Sequence, residues 1–587
     1  MIEKISTPIL IAILLYHSYH YYSDWKLNQT IASFEAKLAA QNDAKLTAKP
    51  KLEPPKIMKV TENIYMAINF AIANSIMLIG ETGIVIVDTT ESTYAAKEIN
   101  KRFREITDKP VKGVIYTHNH IDHVVGTREF LNNTQVDIWA HHSLPSIMHQ
   151  STLIVGRAHK VRALHQFGGK LEDNQIHTVG IGQRVQTDSL NDVVNYVRPN
   201  KFLFKKEQEI ELAGMKLKLI HIPGETDDQI AVYWPEENAL MCADNFYKAF
   251  PNLYAIRGTP FRSLKLWYDS IDTMRNLNAE YLVPSHTDPI IGKQNVFKHL
   301  TDYRDAIQLV HDQTVRFINQ GYHPDKIAHM ITIPKFIRQS DYLYERYGTV
   351  RWSSKSLFSG YMGWFSGDIS ELEPHTPTEK AERLIKLGGG SNNLLTYSED
   401  ALNKNDPQWC LELTSAVLRV DKQNQKAKEL KVKSLLEMAS KQTSQNGRNY
   451  YITAASVILG KVSFNMDAEE KSSIIRNLKL KDLFIAMSTK VKSEECSEID
   501  KVVLFIFPDV SERIKFHLRN GIMDMSGVHL RKEDVTVTVD LSTWREIMTG
   551  DRNGLLSVIT NSIVVQPSAF DLKELMACFD SNDNYIL

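Results

Sequence analysis

Thr117-His118-Asn119-His120-Ile121-Asp122-His123 follows directly on the apolar run Val111-Lys112-Gly113-Val114-Ile115-Tyr116. The β-branched and aromatic character of that run predicts a strand over 111–116, so four ligand-type side chains crowd into six positions at a strand's C-terminal end. Such a cluster cannot be buried in an apolar core without strong partners. A pair of metal ions is the natural partner. Alternation places His118 and His120 on one side of the turn, where they can share one cation, while Asp122 and His123 point to a second. The plain alternative is a polar loop that happens to be rich in histidine.

Upstream of the motif, residues 63–73, 75–79 and 84–88 carry strand patterning, with Gly80-Glu81-Thr82-Gly83 as a hairpin turn. The spacing over 91–106 predicts a helix, so strands and helices alternate and the architecture is α/β. Downstream, strands are expected at 136–140, 209–220, 230–234, 239–243 and 281–283. Beyond about residue 295 the strand signal fades into a long amphipathic helix over 296–320, a short stretch at 324–330 and a Gly/aromatic-rich connector over 342–367. A helical tract over 378–459, broken by Gly388-Gly389-Gly390, precedes a last segment that mixes helices with strands at 502–507, 513–518 and 535–540.

Composition limits the function classes. The 587 residues carry 69 Lys+Arg against 70 Asp+Glu, a net charge of −1, which argues against a nucleic-acid binder that works through bulk basicity. A hydrophobic fraction of 43% with 9% aromatics is that of a soluble globular chain. Four cysteines (Cys242, Cys410, Cys496, Cys578) scattered along the chain suggest neither a disulfide framework nor a Cys-rich zinc site. Near the N-terminus Lys4 precedes Pro8-Ile9-Leu10-Ile11-Ala12-Ile13-Leu14-Leu15-Tyr16. The run is short for a membrane span of about 20 residues but suits the apolar core of a secretory signal. Residues 1–23 are therefore expected to be a signal peptide or membrane anchor on an exported protein, and 24–56 a polar linker.

The H-x-H-x-D-H motif after a strand resembles that of the metallo-β-lactamase superfamily. The resemblance implies an αββα sandwich with a dinuclear metal site at one edge, and three further ligands downstream. Candidates stand in the expected order: Glu225 in His221-Ile222-Pro223-Gly224-Glu225-Thr226, Asp244 in Cys242-Ala243-Asp244-Asn245, and His286 in Pro284-Ser285-His286. By this resemblance His118, His120 and Glu225 form one site and Asp122, His123 and His286 the other. Asp244 lies between them, and Asp122 and Asp244 are the catalytic carboxylates. Two such ions, taken as zinc, activate a water near neutral pH. Asp88, ending an earlier strand, is a candidate acceptor for a ligand histidine's second N–H.

Glu225, where most of the superfamily has His, is similar to the alkyl sulfatase branch. So is Pro251-Asn252-Leu253-Tyr254-Ala255-Ile256-Arg257-Gly258, which resembles that family's N-L-Y-x-x-R-G stretch. The resemblance implies that Asn252 and Arg257 hold the sulfate, and the planar donor fork of Arg suits a tetrahedral oxyanion. It further implies a catalytic domain over 57–295, an all-α dimerisation domain over 296–459 and an α+β sterol-carrier-protein-like domain over 460–587, which could bind lipid. The expected protein is a homodimeric hydrolase of alkyl sulfate monoesters. Two positions depart from the family pattern: Asp244 stands where Glu is usual, and Asn119 where Ser is common. Rival readings are another hydrolase of the same fold (a thioesterase, lactonase or β-lactamase) and, from a different class, an inert lipid-binding or interaction protein. The remaining histidines, among them His141, His142, His149, His159, His165 and His177, are expected to be solvated or satisfied in the core.

Overall fold

A computed structural model describes residues 53–131, 134–172, 175–176, 178–185, 196–464, 475–476, 478–526 and 531–580. The expected N-terminal leader and His177 lie outside the described residues.

The chain divides into two units, of which the first comprises residues 1–142, 162–186 and 197–463. Its first sheet has seven strands among the described residues, β1 (Lys56–Lys59), β2 (Ile64–Ile68), β3 (Ser75–Ile79), β4 (Ile84–Val87), β5 (Val111–Ile115), β6 (Asp137–His141) and β7 (Lys201–Leu203), in chain order. The hairpin at 80–83 forms as expected, closed by Gly80 N–H donating to the Gly83 carbonyl at 2.9 Å. Strands β4 to β7 run parallel, so their C-terminal ends share one edge. The second sheet holds β8 (Glu207–Leu212), β9 (Met215–His221), β10 (Ile230–Trp234), β11 (Ala239–Ala243), β12 (Tyr281–Pro284) and β13 (Ile290–Ile291) in reverse order. The single strand expected over 209–220 is thus a hairpin, because Ala213 and Gly214 both adopt positive φ (55° and 78°), the backbone a tight two-residue turn requires.

Period-two alternation decides which side chains face which layer. Leu217, Leu219, Ile230, Val232, Met241 and Val283 meet Ile64, Met66, Ile76, Leu78, Val85 and Val87 in the core between the sheets. Their neighbours Ile220, Ala231, Leu240 and Leu282 face outwards against helices, including Leu264–Asn276 and Lys293–Ile318. On the first sheet's side, helix Thr93–Arg104 is capped by Ser92 and buries Ala95, Ala96, Ile99 and Phe103. The result is the expected αββα sandwich. Residue 296 was expected to open the helical region, but the helix it belongs to buries Val296, Leu300, Tyr303, Ile307 and Val310 in the same core as the second sheet.

After helices at Pro324–Met330, Lys335–Arg338 and Val350–Met362, the described residues form five more in this unit, at Pro377–Leu387, Ser391–Asn403, Pro407–Val420, Gln425–Ser440 and Gln445–Ile458. Thr376, Asp406, Asn424 and Ser444 cap four of them, and Leu394, Cys410, Leu413, Val417 and Leu430 give the region a core of its own. The glycines at 388–390 form the break between the first two.

The second unit comprises residues 143–161, 187–196 and 464–587. Its sheet has the order β16 (Ile522–Asp524), β15 (Glu512–Arg519), β14 (Asp500–Phe507), β17 (Val535–Val539), β18 (Ile563–Gln566). Phe484, Phe505, Phe507, Phe516 and Trp544 fill its core. The cysteine expectation needs correction here: Cys496 and Cys578 form a disulfide across 82 residues of sequence, while Cys242 and Cys410 are free and buried. Spacing along the chain could not show this, because the pairing depends on how the fold returns the last helix to the one at Ser493–Cys496.

Candidate metal centre

The site is built on strand ends. After β5 the chain turns through 117–120 into the short helix Ile121–Val124, which brings Asp122 and His123 back over the strand edge. Asp88, just past β4, fixes this turn. Its carboxylate accepts the Thr117 backbone N–H (2.9 Å), the Thr117 hydroxyl (2.9 Å), the Ser285 hydroxyl (2.8 Å) and His123 Nδ1 (2.7 Å). The expected acceptor role of Asp88 is therefore present, and it joins two separate segments of the site, the 117–123 turn and Ser285.

Hydrogen bonding also sets the ring orientations. His123 gives its Nδ1–H to Asp88 and His286 gives its own to the Ile72 carbonyl at 2.8 Å. His118 Nδ1 lies 3.0 Å from Thr117 Oγ1, whose proton is already committed to Asp88. Each of these rings therefore turns an Nε2 lone pair inwards. His120 is turned the other way: its Nε2 accepts from Arg257 Nη2 at 3.3 Å, and its Nδ1 lies 2.9 Å from His118 Nε2.

The inward-facing atoms collect into two groups. His118, His120 and Asp244 form one triad and Asp122, His123 and His286 another, with ligand atoms within 4.8 Å of one another in each. Asp244 Oδ2 lies 3.8 Å from His118 Nε2, 3.6 Å from His123 Nε2 and 3.1 Å from His286 Nε2, so one oxygen faces histidines of both triads. His123 Nε2 and Asp244 Oδ1 are buried without a hydrogen-bond partner. Converging imidazole lone pairs and carboxylate oxygens, some orphaned in a buried site, are a donor set that fits metal cations.

Without a cation the same groups compete for protons. Burial pushes the His118 imidazole down to about 3, with the adjacent His123 adding to the effect. Burial also opposes charge on His286, but Asp244 and Asp122 outweigh it and raise that ring to about 9. His123 is raised in the same way by Asp122, Asp244 and Asp88 against the cost of burial.

Glu225 stands apart from both triads. Its Oε1 accepts from Arg262 Nη1 at 2.7 Å and its Oε2 from the Tyr247 hydroxyl at 3.3 Å. Burial raises the Glu225 carboxyl pKa, and Arg262 opposes that rise. Arg262 is only 3% exposed, and the same Nη1 donates to the Asn252 carbonyl at 2.6 Å. Neither Arg262 nor Tyr247 belongs to a motif visible in the sequence. They meet Glu225 from 37 and 22 residues away, so only their place beside Asn252 and Arg257 could have hinted at a role.

Asn252 and Arg257 lie on the irregular stretch between β11 and the helix Leu264–Asn276. Both amide atoms of Asn252, Arg257 Nη1, and Arg262 Nε and Nη2 are buried without hydrogen-bond partners. Asn119 does not face the ligands but donates to Asp228 at 2.6 Å, joining the motif loop to the one that carries Glu225. His141 stacks on His221 with centroids 4.2 Å apart, and His149 meets Asp482 at 2.8 Å; neither joins a triad.

An αββα sandwich with two His/Asp triads on its strand ends defines a metallo-β-lactamase-type metal protein. Residues 68–286 match the metallo-beta-lactamase superfamily, 323–460 the alkyl sulfatase dimerisation family and 468–585 the alkyl sulfatase C-terminal family. The chain is 30% identical over 525 residues to a linear primary-alkylsulfatase of a Pseudomonas species, covering 86% of this chain and 98% of that one. An alkyl/aryl-sulfatase of Saccharomyces cerevisiae is 24% identical, covering 90% and 83%. The solved structure of a stereoselective inverting sec-alkylsulfatase from Pseudomonas sp. superposes with a TM-score of 0.81 at 23% identity, covering 91% of this chain and 86% of that one. The chain belongs to the alkyl sulfatase family of the metallo-β-lactamase superfamily.

Proposed function

We propose that the protein hydrolyses alkyl sulfate monoesters to an alcohol and inorganic sulfate, consuming one water per ester. The observation that carries this is the placement of unpartnered buried donors, on Asn252 and Arg257, beside a converging His/Asp cluster. His118, His120 and Asp244 would hold one zinc ion and Asp122, His123 and His286 the other, with Glu225 joining the first site on the family resemblance alone. When bound, the pair supplies Lewis acidity and a water acidified to act near neutral pH.

The chain's own groups do the rest. Arg257 Nη1 and the Asn252 amide donate to the sulfate oxygens, where charge-assisted bonds in a dry pocket are strong. Arg257 Nη2 donates to His120 Nε2, which in the neutral ring leaves the proton on Nδ1; the contact orients the ring, and Nδ1 would hold a cation only with the proton moved to Nε2 and the Arg257 contact released. Asp88, an acceptor, instead keeps the His123 proton on Nδ1 and leaves the Nε2 lone pair for the centre. Arg262 neutralises Glu225 and ties it to the Asn252 backbone, so the metal cradle and the anion pocket share one strut.

Homodimerisation through the helical region is supported by the dimerisation-family match and by large apolar side chains left in solvent, among them Trp364, Ile369 and Leu387 at 73%, 78% and 87% exposure. The N-terminal apolar run and the Cys496–Cys578 disulfide support export to an oxidising compartment. Sulfate release from octyl sulfate, followed by ion chromatography with and without a chelator, tests the activity. Two metals bound without sulfate release from any alkyl sulfate would sink it.

A further inference from the structure

No motif marks the helix Gly156–Phe167, yet its last turns grip the stretch that carries Arg257 at three points. Arg162 Nη2 donates to the Ile256 carbonyl at 2.8 Å, and Gln166 Oε1 accepts the Arg257 backbone N–H at 3.0 Å. The Phe167 ring lies 5.8 Å from the Arg257 guanidinium carbon. Arg162 and Gln166 are one helical turn apart and so share a face. The Ile256 carbonyl and the Arg257 N–H are the two polar atoms of a single peptide group. Both are thus taken by side chains of one helix.

This matters because the stretch is irregular. Between β11 and the helix Leu264–Asn276 no ladder pairs the backbone, and its polar groups must be satisfied from elsewhere. Pinning both sides of one peptide plane fixes the dihedral from which the Arg257 side chain departs. The guanidinium then reaches His120 with Nη2 and leaves Nη1 unpartnered. Gln166 is fully buried, so water does not replace its acceptor.

We propose that Gln166, with Arg162 and Phe167, is a positioning residue that aims Arg257 at the sulfate group of the substrate. The proposal rests on the reading of Arg257 as a sulfate-binding residue. Misplacing such a group by about 1 Å is enough to cost catalysis heavily.

Gln166→Leu removes the acceptor at similar size, and Arg162→Met removes the donor to the other atom of the same peptide. Each is measured for octyl sulfate turnover, for competitive inhibition by inorganic sulfate, and for bound metal. In Gln166→Leu the KM and the sulfate inhibition constant rise together by about tenfold, as the loss of one buried hydrogen bond warrants. The kcat changes less than KM, and metal content is unchanged. Arg162→Met shifts both constants in the same direction and decides the matter if Gln166→Leu does not fold. Unchanged constants in folded variants, with Arg257→Ala raising both, overturn the role of the helix. Unchanged constants in Arg257→Ala overturn the reading of Arg257 itself.

Discussion

The two halves of the site are built on opposite principles. The histidines of the cradle sit at or close to ends of regular strands, and most have their outward nitrogen held by a nearby acceptor, such as Asp88 for His123 or the Ile72 carbonyl for His286. The anion half sits on an irregular stretch, where Asn252 and Arg257 keep buried donors unpaired and depend on Gln166, Arg162 and Arg262 from elsewhere. A metal cradle gains from rigidity, because ligand positions set both affinity and the acidity of bound water. An anion pocket gains from donors that only the ligand satisfies, because that is where differential binding arises.

Ways to break this contrast run from large to small. His286→Ala removes a cradle ligand, and kcat/KM falls by about 10⁴-fold with loss of bound metal, several kcal/mol of transition-state stabilisation. Metal analysis beside turnover checks it. Arg262→Met leaves the Glu225 carboxylate buried without its counter-charge, at a cost of about 3–5 kcal/mol in denaturant unfolding. Pairing it with Glu225→Gln restores part of that stability without restoring activity, which separates the strut from the chemistry. Arg257→Lys keeps the charge but loses the planar fork. KM rises about a hundredfold with metal content intact, in contrast to His286→Ala. Asp88→Asn weakens metal affinity by about 10- to 100-fold, read by chelator competition, since it disturbs the orientation of His123 and the Thr117 and Ser285 contacts while leaving every ligand in place.

The legible parts were those written in local sequence. Strands at 75–79, 230–234 and 239–243 form over the same residues that their patterning marks, because a buried strand must be apolar wherever it lies in the chain. The hairpin inside 209–220 was missed because Ala213 is not an evident turn residue, although it adopts positive φ beside Gly214. The helices at Leu144–Leu153 and Gly156–Phe167 were missed as well, their apolar positions being too mixed with basic and polar ones to show a stripe. Asn119, which stands where the family commonly has Ser, ties two loops together through Asp228, a partner 109 residues away.

By itself the sequence determined the α/β alternation and the position of the metal motif at a strand end, which follow from residue periodicity and a contiguous motif and need no knowledge of distant contacts. The αββα class and the family were legible through the resemblance that the motifs carry. Only the tertiary structure decided the tautomers of the histidines, the joining of Cys496 to Cys578 and the pairing of Glu225 with Arg262. The same holds for the grip of Gln166 on Arg257. These pairs are separated by tens of residues, and the free energy that joins them comes from burial, which exists only once the sheets, helices and loops have closed over the site.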